Sequence, residues 1–363
     1  MDVSLFFFAD GGDADGYRLL LESARFADTH GLTAVWTPER HFHPFGGLYP
    51  NPAVVGAAVA AVTERVAVRA GSVVAPLHHP VRIAEEWSVV DNLSGGRVGV
   101  SFASGWHGVD FVLKPENFAD RKNAMADAVG TVRRLWRGEA VEFVDGVGDK
   151  QSVRVHPAPV QPELPVWITS AGSPETARTA GRLDAGLLTH LLGQDHEALT
   201  RTVRAYRDEL TRVHGGDARG HVALMIHTML GTDRERIREQ VRKPMCDYLR
   251  SSVDLIVKGS SAVLPPGVDV NRLPERDKEF LVSHAFNRYF TSSGLFGTVD
   301  DGVEIAERLR ACGVDEIACL IDFGLPHDVV LGSLRYIAEL RDRINGEDWS
   351  GDEYGQPDRP GRT

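Results

Sequence analysis

A chain of 363 residues, 42% hydrophobic and 25% charged, has the composition of a large water-soluble domain able to bury a sizeable core. Its net charge of −11 excludes non-specific nucleic-acid binding, which needs a basic surface, and no run of about 18 apolar residues offers a membrane span. Three cysteines without a CxxC pair, and no basic leader before the first apolar run, are expected of a reduced, cytoplasmic protein.

Periodicity predicts one unit repeated along the chain: a short apolar run, a polar or glycine-rich junction, then a helical stripe. Residues 3–8 form the first strand, and Tyr17, Leu20, Leu21, Ala24 and Ala27 mark one face of its helix. Strand 33–37 with helix 52–62, strand 66–75 with helix 81–93, and strand 97–103 with helix 125–136 follow. Strand 166–169 leads into helix 174–182, where Pro174 suits a first helical turn. Strand 185–192 with helix 199–210 comes next, and 221–230 opens the seventh unit. Strand 317–322, with a stripe of Val330, Leu334, Ile337, Leu340 and Ile344, closes the eighth. Strands such as Ile317-Ala318-Cys319-Leu320-Ile321 are apolar without alternation, as burial on both faces of a parallel sheet requires.

Eight such units predict an α/β fold, a closed TIM-type (β/α)8 barrel occupying 1–345 as one domain. No GxGxxG follows the first strand, which argues against an open dinucleotide-binding sheet. Two stretches interrupt the pattern. Residues 139–156 read as a β-hairpin. Residues 233–297 read as a helical insertion after strand seven, broken at Pro265-Pro266-Gly267, serving as lid, substrate wall or dimer contact. The polar tail 346–363 is expected to be disordered.

In such a barrel the site lies at the C-terminal strand ends. Strand two ends in Glu39-Arg40-His41-Phe42-His43, strand three in Val73-Val74 and then His78-His79, and strand four in Ala103-Ser104-Gly105-Trp106-His107. Strand five runs into Ser170-Ala171-Gly172-Ser173, strand six offers His190 and Gln194, strand seven His227, and strand eight Asp322. The Ser170–Ser173 loop precedes a helix N-terminus and suits a phosphate, although taken alone the segment is slightly better explained as a serine N-cap on an ordinary helix. Val73, Val74, Ala103 and Trp106 offer an apolar wall to a flat cofactor. His41 and His43, with His78-His79 one junction on, raise metal hydrolysis as an alternative. No lysine stands at a predicted strand end to support it, and no metal is expected.

The motifs TPERHFH (37–43), GLYPNP (47–52), SFASGWH (101–107), LTHLLGQ (188–194) and DEIACLIDFG (315–324) carry a family resemblance, as do Gly71-Ser72-Val73-Val74, His79-Pro80-Val81-Arg82, Asp91 and Ser94-Gly95-Gly96-Arg97. The chain resembles the bacterial-luciferase-like family over most of 1–345, and within it the subgroup of natural-product clusters, the mupirocin-pathway type. The resemblance implies reduced, non-covalent FMN used with oxygen. It implies flavin contacts from Val73, Val74, Ala103 and Ser104, and phosphate contacts from Ser170, Ala171, Gly172 and Ser173; Glu39, Trp106, His190 and Gln194 at the neighbouring strand ends are further cofactor-binding candidates. It also implies a cis non-proline bond at Val73–Val74. Arg40 stands where luciferase has a catalytic histidine, and Ser104 where luciferase has a phosphate-binding arginine, so an aldehyde substrate and light emission do not carry over.

The implied function is monooxygenation of an acyl or aminoacyl group on a carrier protein, with a separate flavin reductase and a homodimeric enzyme. His41 is the first candidate for acid–base work, its ordinary pKa lying near neutrality; Arg40, His107 and Asp322 follow. A deazaflavin-dependent oxidoreductase and a non-catalytic flavin-binding protein are the alternatives. The basic residues Arg234, Arg236, Arg238, Arg242 and Lys243 offer a docking face for an acidic carrier, or simply a solvated helix.

Overall fold

The computed structural model describes residues 1–8, 15–43, 47–251 and 274–347. Its strands are β1 (Asp2–Phe6), β2 (Ala34–Thr37), β3 (Ala67–Val74), β4 (Val98–Ala103), β5 (Val141–Val144), β6 (Lys150–Val153), β7 (Val166–Thr169), β8 (Gly186–His190), β9 (Val222–Gly231), β10 (Leu295–Thr298) and β11 (Glu316–Leu320). Parallel pairing runs β1-β2-β3-β4-β7-β8-β9-β11 and returns to β1, closing an eight-stranded TIM-type barrel. The continuous apolar runs are satisfied by burial on both sides. Phe6, Ala34, Trp36, Trp167, Leu188, Ala223, Ala318 and Leu320 fill the interior, and a separate, larger core lies between the strands and the outer helices. Among the described residues, no helix is long and apolar enough to cross a membrane.

The lower end of the barrel is plugged by a buried ion pair. Glu316 is fully buried and accepts from Arg69 Nη1 at 2.6 Å, Trp36 Nε1 at 2.8 Å and the Ser4 hydroxyl. The Arg69 guanidinium lies against both Trp36 and Trp167, 5.0 and 4.7 Å from their ring centroids, and the two indoles pack edge-to-face on each other at 5.2 Å. The motif residues Asp91 and Arg97 serve the fold as well. Asp91 accepts from Val160 N at 2.7 Å and Gln161 N at 2.9 Å, and Arg97 donates to Thr63 O at 2.8 Å and Ser94 O at 2.7 Å. Each fixes loop backbone that would otherwise lack hydrogen-bond partners.

Residues 139–156 do form a hairpin, the antiparallel pair β5–β6. The segment 233–297 differs from the expectation of helical pieces alone. Helices Arg234–Ser251 and Glu275–Arg288 are present, but its last residues form β10, paired in parallel with the end of the long β9, Thr228–Gly231. Thr298 then opens a further helix, Val299–Ala311, through a reciprocal cap with Asp301. Pro265-Pro266-Gly267 and the tail from 348 lie outside the described residues. Three arginines of helix Arg234–Ser251 contact aromatic rings: Arg234 and Arg238 lie over Phe290, each at 5.2 Å, and Arg242 over Phe286 at 5.3 Å. They help bind this helix to the segment 286–290, while Arg236, Arg242 and Lys243 remain exposed.

The cis non-proline bond is Gly71–Ser72, not Val73–Val74. The register of β3 against β4 shifts between Gly71 and Val73, placing the irregularity at Ser72. A Cβ on Gly71 would stand 2.6 Å from the Phe6 ring, so the chain passes here only as glycine. Val73 and Val74 lie beyond the shift, back in register with Phe102 and Ala103.

Candidate active site

Glu39 is the organising group at the upper mouth. Leaving β2 through Pro38, its carboxylate is fully buried, with Oε2 accepting from Val74 N at 2.7 Å. Oε1 lies 2.8 Å from His41 Nε2 and 2.6 Å from His78 Nε2. Burial works against ionising Glu39, but the hydrogen bonds from His41, His78 and Val74 outweigh it and hold the carboxyl below its ordinary range. An ionised carboxylate only accepts, so both imidazoles carry a proton on Nε2. For His41, 11% exposed, Nδ1 is the ring nitrogen that Glu39 does not engage. For His78, burial favours the neutral ring, yet the hydrogen bond and charge of Glu39 raise its pKa.

Arg40, between Glu39 and His41 in sequence, goes elsewhere. Its N–H donates to Tyr49 O at 3.0 Å, and its guanidinium lies 5.6 Å from the Phe8 ring and 5.8 Å from Trp106. Beside it, Val74, Leu77 and Phe111 form a small apolar cluster with Ala103. Gly105, at φ +73°, leaves this cluster room: a Cβ there would stand 2.9 Å from both Val74 and Phe111. Ser104 is half-buried, Trp106 is 56% exposed, and the His107 ring packs against Trp106 while pairing with Asp110 at 3.4 Å.

Across the mouth, Ser170 is buried and its hydroxyl accepts from Ser173 N at 3.2 Å. Ser173 caps helix Pro174–Arg182 through Thr176 N. No described group accepts from the N–H groups of Ala171 and Gly172, which stand ahead of that helix. Gln194 donates to Thr189 Oγ1 at 3.2 Å and to the His190 carbonyl, while its buried Oε1 has no partner. His190 accepts from Leu192 N at 3.1 Å, and burial brings its pKa down to about 4. His227 is buried and, with His190 nearby, brought down to about 3. It packs edge-on against Tyr248 at 4.5 Å and Phe323 at 5.3 Å, its Nε2 without a partner.

Asp322 holds the rim together. Its Oδ1 accepts from Phe8 N at 2.7 Å and its Oδ2 from the Tyr49 hydroxyl at 3.4 Å. His79 caps the third helix, its Nδ1 accepting from Val81 N at 3.3 Å.

Residues 1–311 match the family described as luciferase-like monooxygenases. The chain belongs to that family. It is a flavin-dependent monooxygenase, 27% identical over 333 residues, 89% of each chain, to the flavin-dependent trigonelline monooxygenase, oxygenase component, of Acinetobacter baylyi. Its fold is shared with the oxygenating constituent of the Pseudomonas putida 3,6-diketocamphane monooxygenase in complex with FMN, at a TM-score of 0.74 and 16% identity, covering 95% of this chain and 98% of that one. An F420-dependent secondary alcohol dehydrogenase is also similar, at a TM-score of 0.64 and 17% identity, covering 93% and 98%. The fold by itself therefore accommodates either cofactor class.

In this luciferase-like monooxygenase the candidate residues gather at one end of the barrel, but with different work. Glu39 and His41 meet each other, and Asp322 and His107 are tied to rim groups. Glu39, His41 and His78 hold ligand atoms within 4.8 Å of one another, a spacing their mutual hydrogen bonds already explain. From sequence, His78 and His227 stand at strand ends but carry no role at the flavin site. The doubled His78-His79 was the available signal for one, and the histidine at the end of strand seven for the other.

The Glu39–His78 pair makes the monooxygenase's stability depend on pH. The raised pKa of His78 contributes stability present below its ordinary 6.5 and lost as pH rises through the higher folded value. The lowered pKa of Glu39 contributes stability present above its ordinary 4.5 and lost as pH falls through the lower folded value. A His78→Gln variant is therefore expected to be less stable by about 1–2 kcal/mol near pH 5.5, the scale of a charge-assisted hydrogen bond. The difference should shrink toward pH 9. Urea unfolding at both values checks it; a deficit that grows with pH would contradict the pairing.

Proposed function

We propose that this monooxygenase uses reduced FMN, delivered by a separate flavin reductase, to oxygenate an acyl or aminoacyl group carried on a carrier protein. The observation that carries the cofactor assignment is the Ser170–Ser173 loop, where two unaccepted N–H groups stand at a helix N-terminus over a buried serine. Such a set fits a phosphate dianion, because the N–H dipoles and the helix end both favour negative charge. The exposed indole of Trp106 and the Val74–Ala103 surface suit a flat ring system. The TPERHFH, LTHLLGQ and DEIACLIDFG motifs support the carrier-bound substrate class. When bound, reduced FMN supplies the electrons that activate oxygen.

On this reading Glu39 fixes the tautomer and orientation of His41, whose Nδ1 takes or holds a proton at the substrate. A base oriented by a buried carboxylate is a recurrent catalytic arrangement. Glu39 also anchors Val74 N, fixing the end of β3 against which the flavin would rest.

Mass spectrometry of carrier-bound acyl groups, incubated with enzyme, flavin reductase, FMN and oxygen, tests the activity. A gain of one oxygen atom, with the label from ¹⁸O₂, is expected. Turnover with a reduced deazaflavin that needs no oxygen would replace this reading by the alternative.

The phosphate assignment has its own test. Gly172 has φ +87°, and a Cβ there would lie 2.9 Å from Gln194 Oε1. Gly172→Val is expected to weaken FMN binding at least tenfold more than riboflavin binding, because riboflavin lacks the phosphate. Equal losses in a fluorescence titration would sink the assignment.

A further inference from the structure

We infer that Arg40 is a specificity-determining residue that binds a carboxylate of the substrate. The inference rests on the monooxygenase reading for the word substrate, but its geometry stands alone. The guanidinium is half-buried at the mouth, 5.6 Å from the Phe8 ring and 5.8 Å from the Trp106 ring, and no described carboxylate forms an ion pair with it. Asp110 and Tyr248 act on its charge without touching it, and Asp110 Oδ1 lies 3.4 Å from His107 Nδ1.

Several other arginines have partners. Arg121, on the same side of the mouth, donates to the carbonyls of Gly105 at 3.2 Å and Phe118 at 3.0 Å. Arg69 has Glu316, and Arg234 has Asp301. A guanidinium withdrawn from water without a carboxylate carries a desolvation cost that a bound anion offsets. Its planar fork matches a carboxylate in two parallel hydrogen bonds, and the two aromatic rings restrict it to that role. On a chain of net charge −11, a local cation at the mouth is also what lets an anionic group approach. The acyl or aminoacyl group is thus one that bears a free carboxylate near the reacting carbon or nitrogen.

The test uses the full chain saturated with FMN, and calorimetric titration with benzoate and with its neutral counterpart benzamide at pH 7. Wild type is expected to bind benzoate at least tenfold more tightly than benzamide. Arg40→Gln should abolish that preference while leaving benzamide binding unchanged, and Arg40→Lys should retain part of it, since it keeps the charge without the fork. Equal binding of the two probes by wild type, or a preference that survives in Arg40→Gln, overturns the inference. Should Arg40→Gln fail to fold, as judged by circular dichroism, Arg40→Lys decides: a full preference there removes the guanidinium fork from recognition. Retention of FMN is scored separately from its visible absorbance. A failure of the flavin assignment is thereby distinguished from a failure of carboxylate binding, which the protein without flavin would still show.

Discussion

Replacing Glu316 by leucine is expected to cost the barrel about 3–5 kcal/mol, the scale for removing one partner of a buried ion pair. The change leaves the Arg69 guanidinium, 13% exposed and packed against two indoles, without its carboxylate. It also takes the shared acceptor from Trp36 Nε1 and the Ser4 hydroxyl. Isosteric repair is possible: Arg69→Met together with Glu316→Leu should recover most of the loss, because an apolar plug has no charge to desolvate. The urea midpoints of the single and double variants give the answer, provided the slopes stay equal. A single-variant loss below about 1 kcal/mol would show that the pair contributes little to holding the lower barrel closed. At temperatures where the single variant is still folded, flavin binding at the opposite end should be unchanged.

The second large effect is expected at His41, where proton transfer and positioning can be separated. If Nδ1 of His41 serves the substrate, His41→Asn should keep FMN affinity within a few-fold of wild type. Product formation should fall about 100-fold or more, the usual scale for losing an acid–base group. Flavin reoxidation should continue, with hydrogen peroxide released in place of oxygenated product. Asparagine can still donate to Glu39, so the anchor on Val74 N is kept in this variant. The deciding quantity is the ratio of product to peroxide per flavin oxidised. An unchanged ratio, or a parallel loss of FMN binding and stability, would assign His41 to holding Glu39 and nothing more.

Much of the barrel was legible because its strands are buried on both faces and so read as unbroken apolar runs. Residues 166–169 appear as β7 with the bounds expected, and the Ser173 cap followed by Pro174 marked the start of its helix. β10 was missed for a related reason. Leu295-Phe296-Gly297-Thr298 is four residues long, too short to show a period, and it exists only because the end of β9 extends past the barrel to receive it. The Arg69–Glu316 pair was equally hidden. The two residues stand 247 positions apart, Arg69 inside the expected strand 66–75 and Glu316 just ahead of the expected strand 317–322.

The site divides in the same way. Sequence determined which junctions reach the mouth, since the order of strands in a closed parallel barrel sends every C-terminal strand end to one side. It also determined the chemistry available there: a glutamate, imidazoles, a serine–glycine loop before a helix, and an arginine. Only the tertiary structure decided which of these meet. Glu39 and His41 turn to the same carboxylate–imidazole cluster because His78 and Val74 N arrive there from β3, and a buried carboxylate is stable only where several donors converge on it. Arg40, one bond along the chain on either side, is sent to the aromatic rim instead. Asp322, a plausible base on paper, is taken up by Phe8 N and Tyr49. Hydrogen-bond partners contributed by distant strands are not encoded in local pattern, and they are what separates a catalytic carboxylate from a structural one.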